Sequence, residues 1–108
     1  MVRLLLEKGA DPTLRTNWRS TPLHWAAQNG HDVVCATLLA AQGVNVNAKH
    51  NYEWTPLHYA SQEGKAEVVR LLLEKGADAS LRDNKGCIPL HLAALNGHDV
   101  VCATLPPA

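Results

Sequence analysis

A four-residue motif recurs along the chain at an almost constant interval. Thr21-Pro22-Leu23-His24 returns at residues 55–58 and, with isoleucine in place of threonine, at residues 88–91. Leu23, Leu57 and Leu90 are therefore 34 and 33 residues apart. A fixed period of this length indicates stacked repeat units, each of which buries its apolar face against a neighbour. The period constrains the fold more strongly than any single segment does.

A second, longer repetition lies over the first. Residues 1–41 and 68–108 are identical at 29 of 41 positions. Their offset of 67 residues equals two units, so two adjacent units have the pattern of a copied pair. Most of the differences fall between Pro12 and Gln28, whereas the segments after Gly30 and Gly97 hardly differ. The part of each unit needed for packing is thus kept, while one face has diversified.

Each unit carries the signals of two short helices. The proline of the motif suits the first turn of a helix, where its missing N–H would be unpaired in any case. That helix is expected to stop at Gly30, Gly64 and Gly97, since glycine adopts a left-handed C-terminal conformation easily. A second helix follows, clearest from Glu67 to Lys75, and is too apolar all round to be exposed. Gly76 is expected to end it, as are Gly9 and Gly43 in the other units.

These residues resemble the ankyrin repeat, which has a 33-residue period and the signature T-P-L-H-x-A. The resemblance covers essentially the whole chain, through TPLHWAA, TPLHYAS, IPLHLAA and EVVRLLLEKGAD. It implies an all-α solenoid of stacked helix-turn-helix units joined by hairpin-like loops. We expect a partial repeat at 1–15, repeats at 16–49 and 50–82, and a shortened repeat at 83–108.

The chain departs from the family pattern at its two ends and on two of its hairpins. Met1 to Leu6 match a second helix whose first helix is absent, and Pro106 and Pro107 are expected to end the last helix early. Arg19 and Glu53 stand at a hairpin position where the family usually has glycine. In this chain, Gly86 is the residue that conforms to that pattern. The incomplete ends and the copied pair leave open a natural fragment or an engineered chain.

Composition excludes several classes of function. Ten Lys and Arg balance ten Asp and Glu, so the surface is not the basic one that nucleic acid requires. No apolar run approaches the roughly 20 residues of a membrane-spanning helix, and no signal peptide is recognisable. Cys35, Cys87 and Cys102 form neither a disulfide framework nor a metal-binding motif. We expect a protein of the cytoplasm or nucleus, without membrane, metal or cofactor.

No set of residues suggests catalysis, so the chain is predicted not to be an enzyme. His24, His58 and His91 repeat in register, and in the resembled family this histidine hydrogen-bonds backbone between units. Cys35 and Cys102 align with Val69 and are expected to be buried, whereas Cys87 should be accessible. Asn47 weakly matches a place where some ankyrin proteins are hydroxylated.

The aromatic residues point to binding. All five lie on the predicted hairpins or first helices, and exposed Trp and Tyr often dominate interface energy. The alternative is that Trp25 and Tyr59 replace the usual leucine and are half-buried between units, and the same alternative applies to Trp18, Tyr52 and Trp54. The predicted partner-binding residues are Trp18, Ser20, Trp25, Gln28, Tyr52, Trp54, Tyr59, Gln62, Lys85 and Leu92.

We therefore predict a non-catalytic module that binds a protein partner through the hairpin tips and the concave first-helix face. The alternative is a self-associating scaffold whose incomplete terminal units expose apolar residues such as Leu4, Leu5 and Val101. Such a chain would form homo-oligomers.

Overall fold

The computed structural model describes residues 21–41, 43–49 and 53–107. This part of the chain is helical, without strands, and its six helices form three consecutive pairs. They are α1 (Pro22–Gln28), α2 (Asp32–Ala40), α3 (Pro56–Gln62), α4 (Ala66–Glu74), α5 (Pro89–Leu95) and α6 (Asp99–Thr104). The first helix of each pair packs on the first helix of the next, and the second helices pack on one another in the same way. The predicted solenoid of helix-turn-helix units is confirmed.

The repeated motif builds the start of each first helix. Pro22 is the first residue of α1, and Thr21 caps it by accepting a hydrogen bond from the His24 backbone N–H at 3.3 Å. The His24 side chain completes the cap, because its Nδ1 accepts from the Thr21 backbone N–H at 3.1 Å. Thr55 and His58 make the same pair of contacts at α3. One four-residue sequence thus satisfies backbone N–H groups that a helix leaves unpaired.

The predicted helix ends are found where glycine allows a left-handed backbone. α1 and α3 stop two residues before Gly30 and Gly64, whose φ angles are +73° and +71°. α6 ends at Thr104, before Pro106 and Pro107, as expected from the two prolines. Glu53 also has a positive φ, of +62°, so a non-glycine residue occupies the strained hairpin position predicted for it. Arg19 lies outside the described residues.

Small and aliphatic side chains from all three pairs form one core. Ala26, Ala27 and Ala60 let the first helices approach closely, and the second helices contribute Val69 and Leu72, all of them completely buried. Cys35 is buried with them, as predicted. Its burial, and to a smaller extent the nearby negative charge of Asp32, raise the pKa of its thiol to about 12. That thiol is therefore un-ionised at neutral pH and unreactive.

Two expectations about burial are wrong. Cys102 is only partly buried, although it aligns with Val69, because no described element packs beyond α6 to cover it. Val101 is 1% exposed, and its neighbour Val100 is 64% exposed instead. The apolar side chain that faces water on α6 is thus one residue away from the predicted one. Leu4 and Leu5 lie outside the described residues.

None of the helices in the described ranges is long and apolar enough to cross a membrane.

Candidate functional site

The structure separates the predicted binding residues by exposure. Trp25 is 52% exposed on α1, Gln28 is exposed one turn later, and Lys85 is exposed on the last hairpin. Tyr59 and Gln62 on α3 are half-buried. We call these five residues the first-helix face. Trp18, Ser20 and Tyr52 lie outside the described residues.

Leu92 is a correction to the predicted set. Its register on α5 matches that of Trp25 on α1 and Tyr59 on α3, but it is only 7% exposed. Its side chain has already been removed from water in the folded chain, so it offers a partner almost no surface. The same register position therefore runs from exposed Trp25 through half-buried Tyr59 to buried Leu92.

Trp25 has a defined neighbour on the surface. Its ring centroid lies 5.1 Å from that of His31, with the two planes inclined by 34°. His31 precedes α2 and is itself exposed. The two rings cover part of one another and leave a joint aromatic surface in water, in an arrangement typical of offset aromatic pairs.

Trp54 is held in place by the next hairpin. Its indole Nε1 donates to Asp83 Oδ2 at 2.9 Å, across 29 residues of sequence. Its ring also stacks on His58 at 6.1 Å and meets the edge of Tyr59 at 4.9 Å. The ring is half-buried, so Trp54 contributes to the packing between units as well as to the hairpin surface.

Asp83 is the functional neighbour that the sequence interpretation missed. Only 6% exposed, it accepts hydrogen bonds from Trp54 Nε1 and, through Oδ1, from the backbone N–H groups of Lys85 at 2.8 Å and Cys87 at 2.9 Å. Burial alone would raise its pKa, but the hydrogen bonds from Cys87, Lys85 and Trp54 and the nearby His58 together lower it. An Asp followed three residues later by Gly is the usual signal for such a turn.

Two of the three repeated histidines, His24 and His58, join successive units as predicted, whereas His91 is exposed and makes no such bond within the described residues. His24 Nδ1 accepts from the Thr21 backbone, so the ring carries its proton on Nε2, which donates to the Trp54 carbonyl at 2.8 Å. His58 Nε2 donates likewise to the Cys87 carbonyl at 3.0 Å. Both rings are buried, so they have a structural role.

The described residues contain no group of three or more His, Cys, Asp or Glu that could hold a metal ion. His91 and Cys87 are the reactive side chains nearest the last hairpin, and each is at least partly exposed. The first-helix face presents aromatic, amide and ammonium groups.

Comparison with known proteins agrees with the geometry. The family model described as ankyrin repeats (3 copies) matches residues 1–83 and 37–105. The chain is 34% identical over 96 residues to the human transient receptor potential cation channel subfamily A member 1, covering 89% of this chain and 9% of that protein. It is 37% identical over 98 residues to palmitoyltransferase akr1 of Neurospora crassa, covering 91% of this chain and 13% of that protein.

A third relative shares a shorter segment. The chain is 51% identical over 39 residues to dynein axonemal heavy chain 12 of Bos taurus, which covers 36% of this chain and 11% of that protein. The chain thus spans about a tenth of the length of each of these relatives. What it shares with them is a repeated segment, and their names describe whole proteins of unlike kinds. The family match over nearly the full chain, together with the capped helix pairs and linking histidines, shows that the chain belongs to the ankyrin-repeat family.

Proposed function

We propose that the chain is a non-catalytic module that binds a protein partner through its hairpin tips and concave first-helix face. Ankyrin repeats are generally protein-interaction modules and are generally non-catalytic. The proposed surface consists of the first-helix face and Trp54, together with Trp18, Ser20 and Tyr52 outside the described residues.

The exposure of Trp25 carries the proposal. A tryptophan that leaves 52% of its surface in water forgoes much of the free energy it would gain by burial. Exposed Trp and Tyr are enriched among the few residues that supply most of the energy of protein interfaces. Tyr59 continues the aromatic surface on α3, and Gln28 and Gln62 border it with amide groups that can hydrogen-bond a partner.

The copied segments support the same surface. Residues 22–38 and 89–105 are identical at 15 of 17 positions and differ only at Trp25/Leu92 and Gln28/Leu95. Three of these four side chains are exposed. The helix pair folds with either residue at each position, so packing does not require a tryptophan at 25 or a glutamine at 28. Residues that are not required for packing can instead serve to bind a partner.

The test pairs Trp25→Ala with Val33→Ala. Val33 is 69% exposed on α2, so its substitution removes an exposed apolar side chain away from the proposed surface. A photo-reactive amino acid at Gln28 would capture the partner from cell extract, and the Kd of the purified pair would then be measured. We expect Trp25→Ala to weaken binding by about 1 to 4 kcal/mol, or roughly fivefold to a thousandfold, and Val33→Ala to leave it unchanged.

Equal Kd values for the two variants would contradict the proposal. A loss of binding accompanied by unfolding would also contradict it, and circular dichroism of each variant distinguishes that case.

A further inference from the structure

A groove lies between two of the second helices, away from the first-helix face. Helices α2 and α4 pack on one another, and the groove between them has a volume of about 320 Å³. None of the five residues of the first-helix face lines it. We call it the second-helix groove. Its lining includes Asp32 and Ala36 from α2 and Glu67, Arg70, Leu71 and Glu74 from α4.

Part of the groove is apolar. Ala36 is exposed on α2, and Leu71 is half-buried on α4. The short side chain of Ala36 leaves room for the side chains of a partner. Leu71 lies four residues after Glu67 and three before Glu74, so it is on the same side of α4 as both carboxylates. The groove thus offers an apolar contact between charged residues.

Carboxylates outnumber cations in the groove. Three carboxylates and one guanidinium line it, although the charges of the whole chain sum to zero. The guanidinium of Arg70 is already paired with Glu67 at 3.1 Å. Asp32 and Glu74 form no ion pair with any residue of the described ranges. The groove therefore has an unbalanced negative charge, which is complementary to a cationic partner.

Glu74 is placed where it does not stabilise its own helix. Asp32 and Glu67 lie in the first turns of α2 and α4, where an acidic side chain interacts favourably with the unpaired N–H groups. Glu74 is instead the last residue of α4, next to the unpaired carbonyl groups, where a negative charge is unfavourable. A cation supplied by a partner would remove that repulsion. Glu74 therefore favours a basic partner independently of the other two carboxylates.

The spacing along α4 defines the shape of such a partner. Glu67 and Glu74 are seven residues apart, so they lie on one side of the helix and about 10 Å apart along its axis. A partner helix has the same rise per residue, so cations at its positions i and i+7 match the two carboxylates. An apolar residue at i+3 or i+4 lies on the same side of that helix and meets Leu71 and Ala36.

We propose that the second-helix groove binds a basic amphipathic helix of a protein partner. One cation of that helix pairs with Asp32 and Glu67 where α2 and α4 begin, and a second cation, seven residues along, pairs with Glu74. The apolar residue between the two cations packs on Ala36 and Leu71. This interaction uses a surface separate from the first-helix face, so it is tested independently of the proposed function.

The probe is a synthetic peptide with this pattern. It is about 16 residues long and is held helical by a hydrocarbon staple on its outer side, because a short free helix is only marginally stable in water. It carries Arg at i and i+7, Leu at i+3 and i+4, and Ala and Gln elsewhere. Fluorescence anisotropy measures its Kd for the full chain at about 0.1 M salt, where exposed charges are only partly screened.

Two matched variants test the charges. Asp99 begins α6, and residues 99–104 are identical in sequence to residues 32–37, but Asp99 does not line the groove. Asp32→Lys and Asp99→Lys therefore make the same change in charge at the same place in identical helix sequences. We expect Asp32→Lys to weaken peptide binding by about tenfold or more and Asp99→Lys to weaken it by less than about twofold. Circular dichroism checks that both variants are folded.

A second matched pair tests the apolar contact. Ala36→Gln fills the place of the peptide's leucines with a longer polar side chain, so it should weaken binding by about fivefold or more. Ala103 is exposed at the equivalent position of α6, and Ala103→Gln should leave binding unchanged. In the reverse experiment, a peptide with Glu in place of both Arg residues should bind the Asp32→Lys/Glu74→Lys variant more tightly than it binds wild type.

Three results would overturn the proposal. The first is the absence of binding at peptide concentrations up to about 1 mM. The second is equal weakening by Asp32→Lys and Asp99→Lys, which would assign binding to general attraction between opposite charges. The third is equally tight binding of a peptide that has the same composition but has its two Arg residues side by side, because the groove would then not recognise their spacing.

Discussion

Replacing Asp83 by alanine should destabilise the protein far more than its place on a hairpin suggests. The carboxylate is 6% exposed and accepts three hydrogen bonds, from Trp54 Nε1 and from the backbone N–H groups of Lys85 and Cys87. A hydrogen bond to a charged group contributes about 1.5 to 3 kcal/mol, and a buried donor left unpaired loses its solvation as well. At the hairpin tip, water molecules can replace some of the hydrogen bonds that the carboxylate accepts.

We therefore expect Asp83→Ala to lower the free energy of unfolding by about 3 kcal/mol. At about 2.1 cal/mol/K of unfolding entropy per residue, this corresponds to a decrease in Tm of roughly 13 °C for a chain of this length. Urea denaturation followed by circular dichroism measures the free energy, and thermal denaturation gives Tm. Trp54→Phe keeps an aromatic ring but removes the indole donor and part of the ring, and it should cost at least about 1 kcal/mol.

Asp78→Ala is the matched control. Asp78 also accepts hydrogen bonds within a hairpin, from the Ser80 backbone and hydroxyl, but it is exposed. Its replacement should change stability far less than Asp83→Ala does, as for most surface substitutions. If Asp83→Ala were no more destabilising than Asp78→Ala, the buried carboxylate would not hold the two hairpins together. A double-mutant cycle of Trp54→Phe and Asp83→Asn measures the coupling energy between the two side chains. A coupling energy near zero would show that the hydrogen bond between Trp54 and Asp83 does not contribute to stability.

Three further outcomes follow from single features. Glu53→Gly should stabilise the protein by about 0.5 to 1 kcal/mol, because Glu53 has a φ of +62°, which glycine adopts without strain. Glu63→Gly is the control and should destabilise the protein, because Glu63 has an ordinary φ of −88°. Chemical denaturation of both variants distinguishes relief of backbone strain from a general effect of glycine. The pKa of Asp83 is lowered in the folded state, so its stabilisation is complete above its ordinary value of 3.8 and is lost as pH falls through the folded-state value. Denaturation between pH 7 and 2 should accordingly show wild type and Asp83→Asn converging in stability at the acidic end, and parallel curves would contradict the assignment. Leu95 and Val100 are 83% and 64% exposed, so the double variant Leu95→Gln/Val100→Gln should self-associate less than wild type as protein concentration rises. Sedimentation that shows wild type as a monomer over a hundredfold range of protein concentration would refute this prediction.

Local signals in the sequence were sufficient to predict the helix pairs. Thr21 to His24 contain both halves of the helix cap, and Gly30 supplies the left-handed residue that ends the helix, so neighbouring residues determine each boundary. The regular recurrence of His24 indicated a structural role, and the resemblance to the ankyrin repeat implied its link to the next unit.

Exposure within a register was harder to predict. Trp25 and Leu92 share a position, yet one is exposed and the other buried, because side-chain shape and the neighbouring unit both affect burial. The bond between Trp54 and Asp83 joins residues 29 positions apart, and nothing in either hairpin alone indicates its partner. Val101 was expected to be exposed but is buried, whereas Val100 is exposed. The sequence of two adjacent valines on a short helix does not indicate which of them faces inward.

The bonds from His24 to the Trp54 carbonyl and from His58 to the Cys87 carbonyl couple each helix cap to the hairpin of the next unit. Each acceptor belongs to a hairpin, and each donor belongs to the cap of the helix one unit before it. A hairpin that shifts takes the acceptor away from the preceding histidine, whose other nitrogen holds the first turn of its helix. Loosening of a hairpin is therefore coupled to loosening of the preceding helix cap, and a ligand that steadies the Trp54 hairpin should slow amide hydrogen exchange in α1 without touching it.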